Sequence, residues 1–351
     1  GYLFDVGGSG FFPETKDKKF LLGLVNSKVG SYILSKLNPT VNFQVGDIGS
    51  IPVIPFESSS YDIDQLVDEN IEISKKESEL SEDNPNFISN ELLNINGNGE
   101  LEETTDLCIQ KRLHLLNKLN RNEVQLNCWF ASLYQVTEST LSDEKKINLF
   151  GNWKIKNEIH IESVQEVWSL NIITAFISYA VHCMFGRYSL DKEGLILANQ
   201  GETLEDYSTK VGKSPDEITF LPDKENIIPI LADEWFEDDI AGRFNEFLKV
   251  TFGKANFEKN LAFVEECLGK DVRKYFSKEF YSDHIKRYKK RPIYWMFGTP
   301  SGSFSVLIYM HRYTPDLLND ILNDYLKEYQ EKLRTRIEYL DHLIETGSAS
   351  E

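Results

Sequence analysis

Asp283 to Asp316 (DHIKRYKKRPIYWMFGTPSGSFSVLIYMHRYTPD) concentrates the side chains best suited to binding chemistry. Lys286, Arg287, Lys289, Lys290 and Arg291 stand against Tyr294, Trp295 and Phe297. After a Gly/Ser turn at Ser301 to Ser303, a second apolar run ends in His311 and Arg312. From Tyr281 to Arg312 there are six Lys/Arg and one acid, a local balance of +5 in a chain of net charge −18. Cations neutralise phosphates and flat rings accept bases or sugars, so this is the composition of a polyanion-binding surface. The same residues also suit a plain hairpin with core aromatics and solvated cations.

The other candidates for chemistry are weaker. His182 and Cys183 are neighbours in an apolar helix, where adjacent side chains do not face each other, so they read as a core pair rather than a base and nucleophile. Glu237, Asp238 and Asp239 could be taken for a metal site. They are better read as carboxylates stabilising a helix N-terminus, at roughly 0.3–1 kcal/mol each. SPDEITFLPDKEN places Asp216 ahead of Asp223-Lys224-Glu225, the wrong order for the carboxylate and later acid-x-Lys of a metal nuclease. In GYLFDVGGSGFF, Gly7, Gly8 and Gly10 lead into Phe11-Phe12-Pro13 rather than a helix N-terminus, which reads as a turn. Cys108, Cys128, Cys183 and Cys267 stand far apart with no CxxC pair and no His at a zinc-like offset. Neither a disulfide framework nor a metal site follows, and reduced, cytoplasmic thiols are expected.

The elements that must position these residues are mostly helices. At 351 residues, 41% of them hydrophobic, the chain has enough apolar material for two or three domains. Residues 1–56 carry a net charge of +1, whereas residues 57–110 hold fifteen acids against Lys75 and Lys76, a net of −13. SEDNPNFISNELLNINGNGE, within the acidic segment, has too few apolar residues for a core of its own and reads as a linker or mobile surface loop. Helical spacing from Tyr61 to Leu80 and from about Thr104 to Gln135 predicts an antiparallel helical pair. Ile161 to Phe185 reads as two helical stretches. Its apolar part from Leu170 is shorter than the roughly 20 residues of a membrane span and contains Asn171, Thr174, Ser178 and His182, so a buried helix is expected and no membrane. Helices follow at Phe236 to Phe252, Phe257 to Leu268 and Val272 to Tyr288. Strands at Ile293 to Phe297 and Phe304 to Met310 flank the turn, and a last helix starts at Pro315 behind a Thr314 N-cap. The expected class is α+β and predominantly helical: a small mixed module in 1–56, an acidic linker with a helical pair in 57–135, and a mainly helical domain with a short hairpin in 136–351.

Several strings resemble one known family. RPIYW, LIYMHRY and DYL followed by EYQEKLRTRIE resemble the C-terminal region of the adenine-specific DNA methyltransferases of the Pgl/BREX phage-defence systems, the PglX family. FISYAVHCMFGRYSLDKEGLI and NIIPILADEWFEDDIAGRFNEFLK resemble the same region. FLLGLVNSKVGSYILSKLNPTVNFQVGDIGSIPVIPF, Phe20 to Phe56, resembles the end of a target-recognition domain. Neither the Asn/Asp-Pro-Pro-aromatic loop nor the Gly-rich turn that such enzymes use for adenine and S-adenosylmethionine occurs here. With a start at Gly1 and an end in GSASE, the chain reads as the C-terminal part of a larger enzyme.

The resemblance implies a DNA-recognition and clamping portion, with catalysis and S-adenosylmethionine bound elsewhere in the parent and no cofactor in this portion. Double-stranded DNA is the expected partner. Lys286, Arg287, Lys289, Lys290, Arg291 and Arg312 are expected on its backbone as one basic face, and Asn38, Asn42 and Gln44 are the polar candidates for reading bases. Asn38 equally suits a cap of the Pro39 turn. In a competing view the cations pair with the acidic segment. A scaffold docking other defence components is the alternative function, and a stand-alone nuclease the weakest.

Overall fold

The computed structural model describes residues 12, 18–40, 43–54, 63–95, 97–137, 146–147, 153–154 and 164–346. The expected class holds: the protein is α+β and predominantly helical. It divides into two compact units, Gly1–Glu79 with Ile109–Gln165, and Leu80–Cys108 with Glu166–Glu351.

In the first unit, α1 (Lys18–Asn26), α2 (Lys28–Leu37) and α3 (Val45–Gly49) precede α4 (Ile63–Ser78) and α5 (Leu101–Leu133), whose residues from Ile109 belong here. Phe20, Leu24, Val29, Leu34, Ile63, Val67 and Phe130 form the core. Arg112 pairs with Glu77 at 3.8 Å, Lys118 with Glu69 at 3.4 Å, and Asn122 donates to Glu69 at 2.9 Å and Asn70 at 3.0 Å. Ascending numbers on α5 meet descending numbers on α4, so the predicted antiparallel pair is present. The α1–α2 corner depends on Ser27, whose hydroxyl accepts from the Gly30 amide at 3.0 Å, a side-chain cap for an otherwise unpaired N–H. A short antiparallel ladder joins β1 (Lys146–Ile147) to β2 (Trp153–Lys154).

The second unit is organised on α6 (Gln165–Met184), one continuous helix rather than the two stretches expected. It is the one described helix apolar and long enough to mimic a membrane span, and 72% of its apolar window is buried inside the fold. Phe176 packs against Phe244, Phe247 and Phe252 of a later helix at 5.5–6.2 Å between ring centroids. After α7 (Leu204–Val211) and β3 (Ile227–Pro229) come α8 (Ile240–Phe252), α9 (Phe257–Leu268), α10 (Val272–Tyr275), a π-helical turn over Phe276–Phe280 and α11 (Tyr281–Arg287). Asp239 caps α8 by accepting from Gly242 N at 2.7 Å, the helix-start role expected of the acidic trio. Gly269, at φ 66, closes α9 in the left-handed conformation that glycine adopts without strain.

The hairpin of β4 (Tyr294–Gly298) and β5 (Ser305–Tyr309) forms as predicted. A third strand, β3, pairs with the free side of β5 and gives the antiparallel order β3-β5-β4. The last helical run begins at Leu317, two residues beyond the expected start at Pro315, because 315–316 form a turn with the Leu317 amide on the Thr314 carbonyl at 3.3 Å. It continues as α12 (Leu317–Asp320), a π-helical turn over Ile321–Leu326, and α13 (Lys327–Glu345).

The segment expected as a linker or mobile loop is instead built into this unit. Phe87 packs between Tyr179 and Tyr188 at 6.1 and 5.4 Å, Leu92 is buried, and the Ile88 carbonyl accepts from Gly194 N at 2.9 Å. Asn260 of α9 then accepts from Leu101 N at 2.8 Å and donates to the Gly99 carbonyl at 2.9 Å. The segment lacks the apolar residues for its own core, but it inserts the few it has into the core beside α6.

A Cβ at Gly30 would stand 2.1 Å from the Leu24 carbonyl oxygen, whereas one at Gly23 would meet only side-chain atoms, of Val67 at 3.2 Å and Phe130 at 3.3 Å. Gly30→Ala is therefore expected to destabilise by roughly 2 kcal/mol or more and Gly23→Ala by less, read from denaturation midpoints.

Candidate nucleic-acid interface

The basic stretch lies at the end of α11 and in the turn that leads to β4. Tyr288 closes the helix, its amide bonding the His284 and Lys286 carbonyls. Lys290 N returns to the Ile285 carbonyl at 2.8 Å, the six-residue closure common at helix C-termini. Lys289 and Lys290 then take φ of 51° and 65°, both in the left-handed region where glycine is the usual occupant. Each costs about 1–2 kcal/mol relative to an ordinary conformation. Two consecutive exposed lysines held there constitute local strain at a turn, the kind of position where function is sought.

Acids from elsewhere in the same unit already meet three of the five cations. Lys286 pairs with Asp283 at 3.1 Å, Arg287 with Glu82 at 3.5 Å and Lys289 with Asp83 at 2.9 Å. The competing view of the sequence, that the acidic segment engages these cations, thus describes Arg287 and Lys289. Lys290 and Arg291 are exposed, and neither has an ion-pair partner among the described residues. Trp295 and Met296 follow on β4, an edge strand, at 48% and 40% exposure, while Tyr294 is fully buried.

A buried polar network holds this turn in place. Glu82 accepts from Ser178 Oγ at 2.9 Å and from His182 Nε2 at 3.0 Å, besides its contact with Arg287. Burial opposes the Glu82 charge, but His182 and Arg287 outweigh it and hold the carboxyl below its ordinary pKa. Burial lowers the His182 pKa against the pull of Glu82. An ionised Glu82 can only accept, so His182 Nε2–H donates to it, while Nδ1 lies 2.5 Å from the Tyr294 hydroxyl. Where a catalytic pair was considered at His182 and Cys183, His182 is a structural bridge and the Cys183 thiol is pushed far up by burial.

His284 does related work one helical turn before the basic turn. Its Nε2 accepts from the amides of Ile293 and Tyr294, both at 3.2 Å, and so fixes the start of β4 against α11. Accepting two N–H groups requires an unprotonated Nε2. Burial, followed by the neighbouring His182, lowers the His284 pKa to about 3.

Arg312 does not share a face with the turn. It is 7% exposed and donates to the carbonyls of Phe185, Asp223 and Lys224 at 3.4, 2.8 and 3.1 Å. The expectation of one basic face including Arg312 is corrected on this point: at the end of β5 its guanidinium is engaged by three backbone carbonyls instead of facing solvent. Asp223 is likewise structural. It accepts from Ile227 N at 2.9 Å, with burial raising its pKa to about 6. The described residues contain no group of three or more potential metal ligands.

Among the base-reading candidates, Asn38 and Gln44 meet through one carboxylate in the first unit. Asn38 Nδ2 donates to Asp47 at 2.7 Å and its Oδ1 accepts from Thr40 N at 2.9 Å, while the Gln44 amide bonds the same Asp47 at 2.8 Å. These bonds give Asn38 the turn-capping role that Pro39 suggested. Gln44 remains exposed, and Asn42 lies outside the described residues, as do the glycines at 7, 8 and 10. The sequence reading missed Glu82, Asp83 and His284. Only the acid-rich composition around Glu82 and Asp83 signalled a partner for the cations.

No family model matches the chain. It is 30% identical over 370 aligned residues to the adenine-specific methyltransferase BrxX of Escherichia coli O9:H4 (strain HS), an alignment that covers all of this chain and 30% of that protein. It is 31% identical over 329 residues to the adenine-specific methyltransferase PglX of Lacticaseibacillus casei (strain Zhang), covering 89% of this chain and 25% of that protein. The chain thus spans less than a third of the length of either relative.

The His284 geometry sets the sign of a pH effect. Between its ordinary pKa of 6.5 and the folded value of about 3, the unfolded chain takes up a proton that the folded chain refuses, so stability falls as pH falls. The drop in melting temperature from about pH 7 to about pH 5 should be smaller in His284→Gln than in the unaltered protein.

Proposed function

Given that the chain belongs to the PglX/BrxX-type family, we propose that it forms the DNA-holding portion of a site-specific adenine methyltransferase, with the methyl-transfer machinery elsewhere in the parent. The observation that carries this reading is the strained, solvent-facing pair Lys289-Lys290 followed by Arg291. Lys290 and Arg291 are exposed without a carboxylate partner among the described residues of a chain of net charge −18. An overall acidic protein repels a duplex at long range, so cations left open at one turn mark the place where a phosphate is received.

A methyltransferase must rotate its adenine out of the stack, at a cost of a few kcal/mol, and contacts elsewhere on the duplex hold the complex meanwhile. Backbone contacts of this kind position the DNA without reading it. Sequence reading is assigned to the first unit. There Gln44, exposed at the start of α3, is better placed to reach a base than Asn38, whose amide is engaged with Asp47 and Thr40. S-adenosylmethionine is assigned to the remainder of the parent, since the Gly-rich strand-to-helix turn that binds it does not occur in this chain.

In the parent enzyme, replacing Lys290 by Gly and Arg291 by Ala should weaken binding to specific and random duplexes alike. The salt slope should fall by about 0.9 for each phosphate that is no longer neutralised. Lys290→Gly should leave the melting temperature intact or higher, because glycine accepts this backbone. Unchanged affinity and salt slope in the double variant would contradict the assignment. Calorimetric titration of this chain with S-adenosylmethionine is expected to show no saturable heat, and a saturable isotherm would place the cofactor site here after all.

A further inference from the structure

We propose that the C-terminal half of α13 is a coiled-coil seam that pairs antiparallel with α13 of a second copy of this chain. The helical run begins as part of the body: Leu317, Ile321 and Tyr325 are buried in the core beside β3 and β5. Its apolar pattern then continues where the body no longer covers it. α13 has no buried residue along its 19 positions, and Ile337, Leu340 and Ile344 are 57%, 42% and 68% exposed.

Leu333, Ile337, Leu340 and Ile344 are spaced by four, three and four residues, the a/d repeat of a coiled coil. At 1.5 Å per residue this stripe runs roughly 16 Å along the helix. A seam of this length exposed to water is costly for a soluble surface and is the usual mark of an interaction site.

The charges beside the seam select the partner and its direction. Lys332, Arg334 and Arg336 flank its first half, and Glu338, Asp341 and Glu345 its second half. Two copies side by side in parallel would set cations against cations and acids against acids. In the antiparallel arrangement, Ile337 faces Leu340 and Leu333 faces Ile344 of the second copy. The same register brings Arg334 opposite Asp341 of that copy twice over, both residues occupying the e position. Within the chain, Arg334 forms an exposed ion pair with Glu331, and Arg336 lies over the Tyr339 ring at 5.4 Å. Neither contact covers the seam, and an exposed pair of this kind contributes little and exchanges readily.

The test is sedimentation velocity on the full chain over a concentration series. The weight-average mass should rise with concentration from 40.5 kDa toward twice that value. Ile337→Asp, and separately Ile344→Lys near the helix end, should abolish the rise while leaving the melting temperature of the dilute, monomeric chain unchanged, because both positions are exposed. Arg334→Asp and Asp341→Arg should each weaken the dimer by at least about threefold, and the two together should restore it. A chain that stays monomeric throughout the series would overturn the proposal and leave the seam to a helix of different sequence. So would association that survives Ile337→Asp, or a double charge swap no tighter than either single variant.

Discussion

A carboxylate withdrawn from water must be paired, and Glu82 is the place where this fold meets that requirement. Leaving such a group without its partners costs several kcal/mol, so Glu82 can be buried only if Ser178, His182 and Arg287 converge on it. Those partners come from the middle of α6 and the end of α11, while Glu82 itself belongs to the segment before α5. One carboxylate therefore locates three parts of the second unit. It also orients the basic stretch: with Arg287 turned inward to Glu82, the chain must reverse at once to enter β4, and the reversal falls on Lys289 and Lys290 in left-handed conformations.

How much of this was legible varied with how local the cause was. The α9 boundaries, the helical pair α4 and α5, and the hairpin of β4 and β5 follow from periodicity and turn residues a few positions apart, and they stand close to where those signals put them. β3 escaped notice because three residues ending in Pro229 carry no alternation, and only the unpaired side of β5 makes them a strand. The segment from Ser81 to Glu100 looked too polar to fold because its partners, Tyr179, Tyr188 and Asn260, lie far away in sequence. Arg312 illustrates the same limit. Its type and neighbours suggested a phosphate, but three carbonyls that only the fold assembles claim its guanidinium.

The charge pattern takes on a different meaning once the fold is known. A local +5, which already counts Asp283, suggested a broad basic face, yet Glu82 and Asp83 meet Arg287 and Lys289, Lys286 pairs with Asp283, and Arg312 is buried on carbonyls. What remains is narrow: Lys290, Arg291 and the exposed ring of Trp295 on an edge strand.

Glu82 links residues 80–95 to the basic turn through its contacts with Ser178, His182 and Arg287. Amide hydrogen exchange in a Glu82→Gln chain tests this most directly, since the substitution keeps the shape and removes the charge. Faster exchange is predicted both in residues 80–95 and in residues 284–294, with the rest of α6 unaffected. Unchanged protection in both segments would show that Phe87 and Leu92 hold the segment by packing alone and that Arg287 does not depend on the carboxylate.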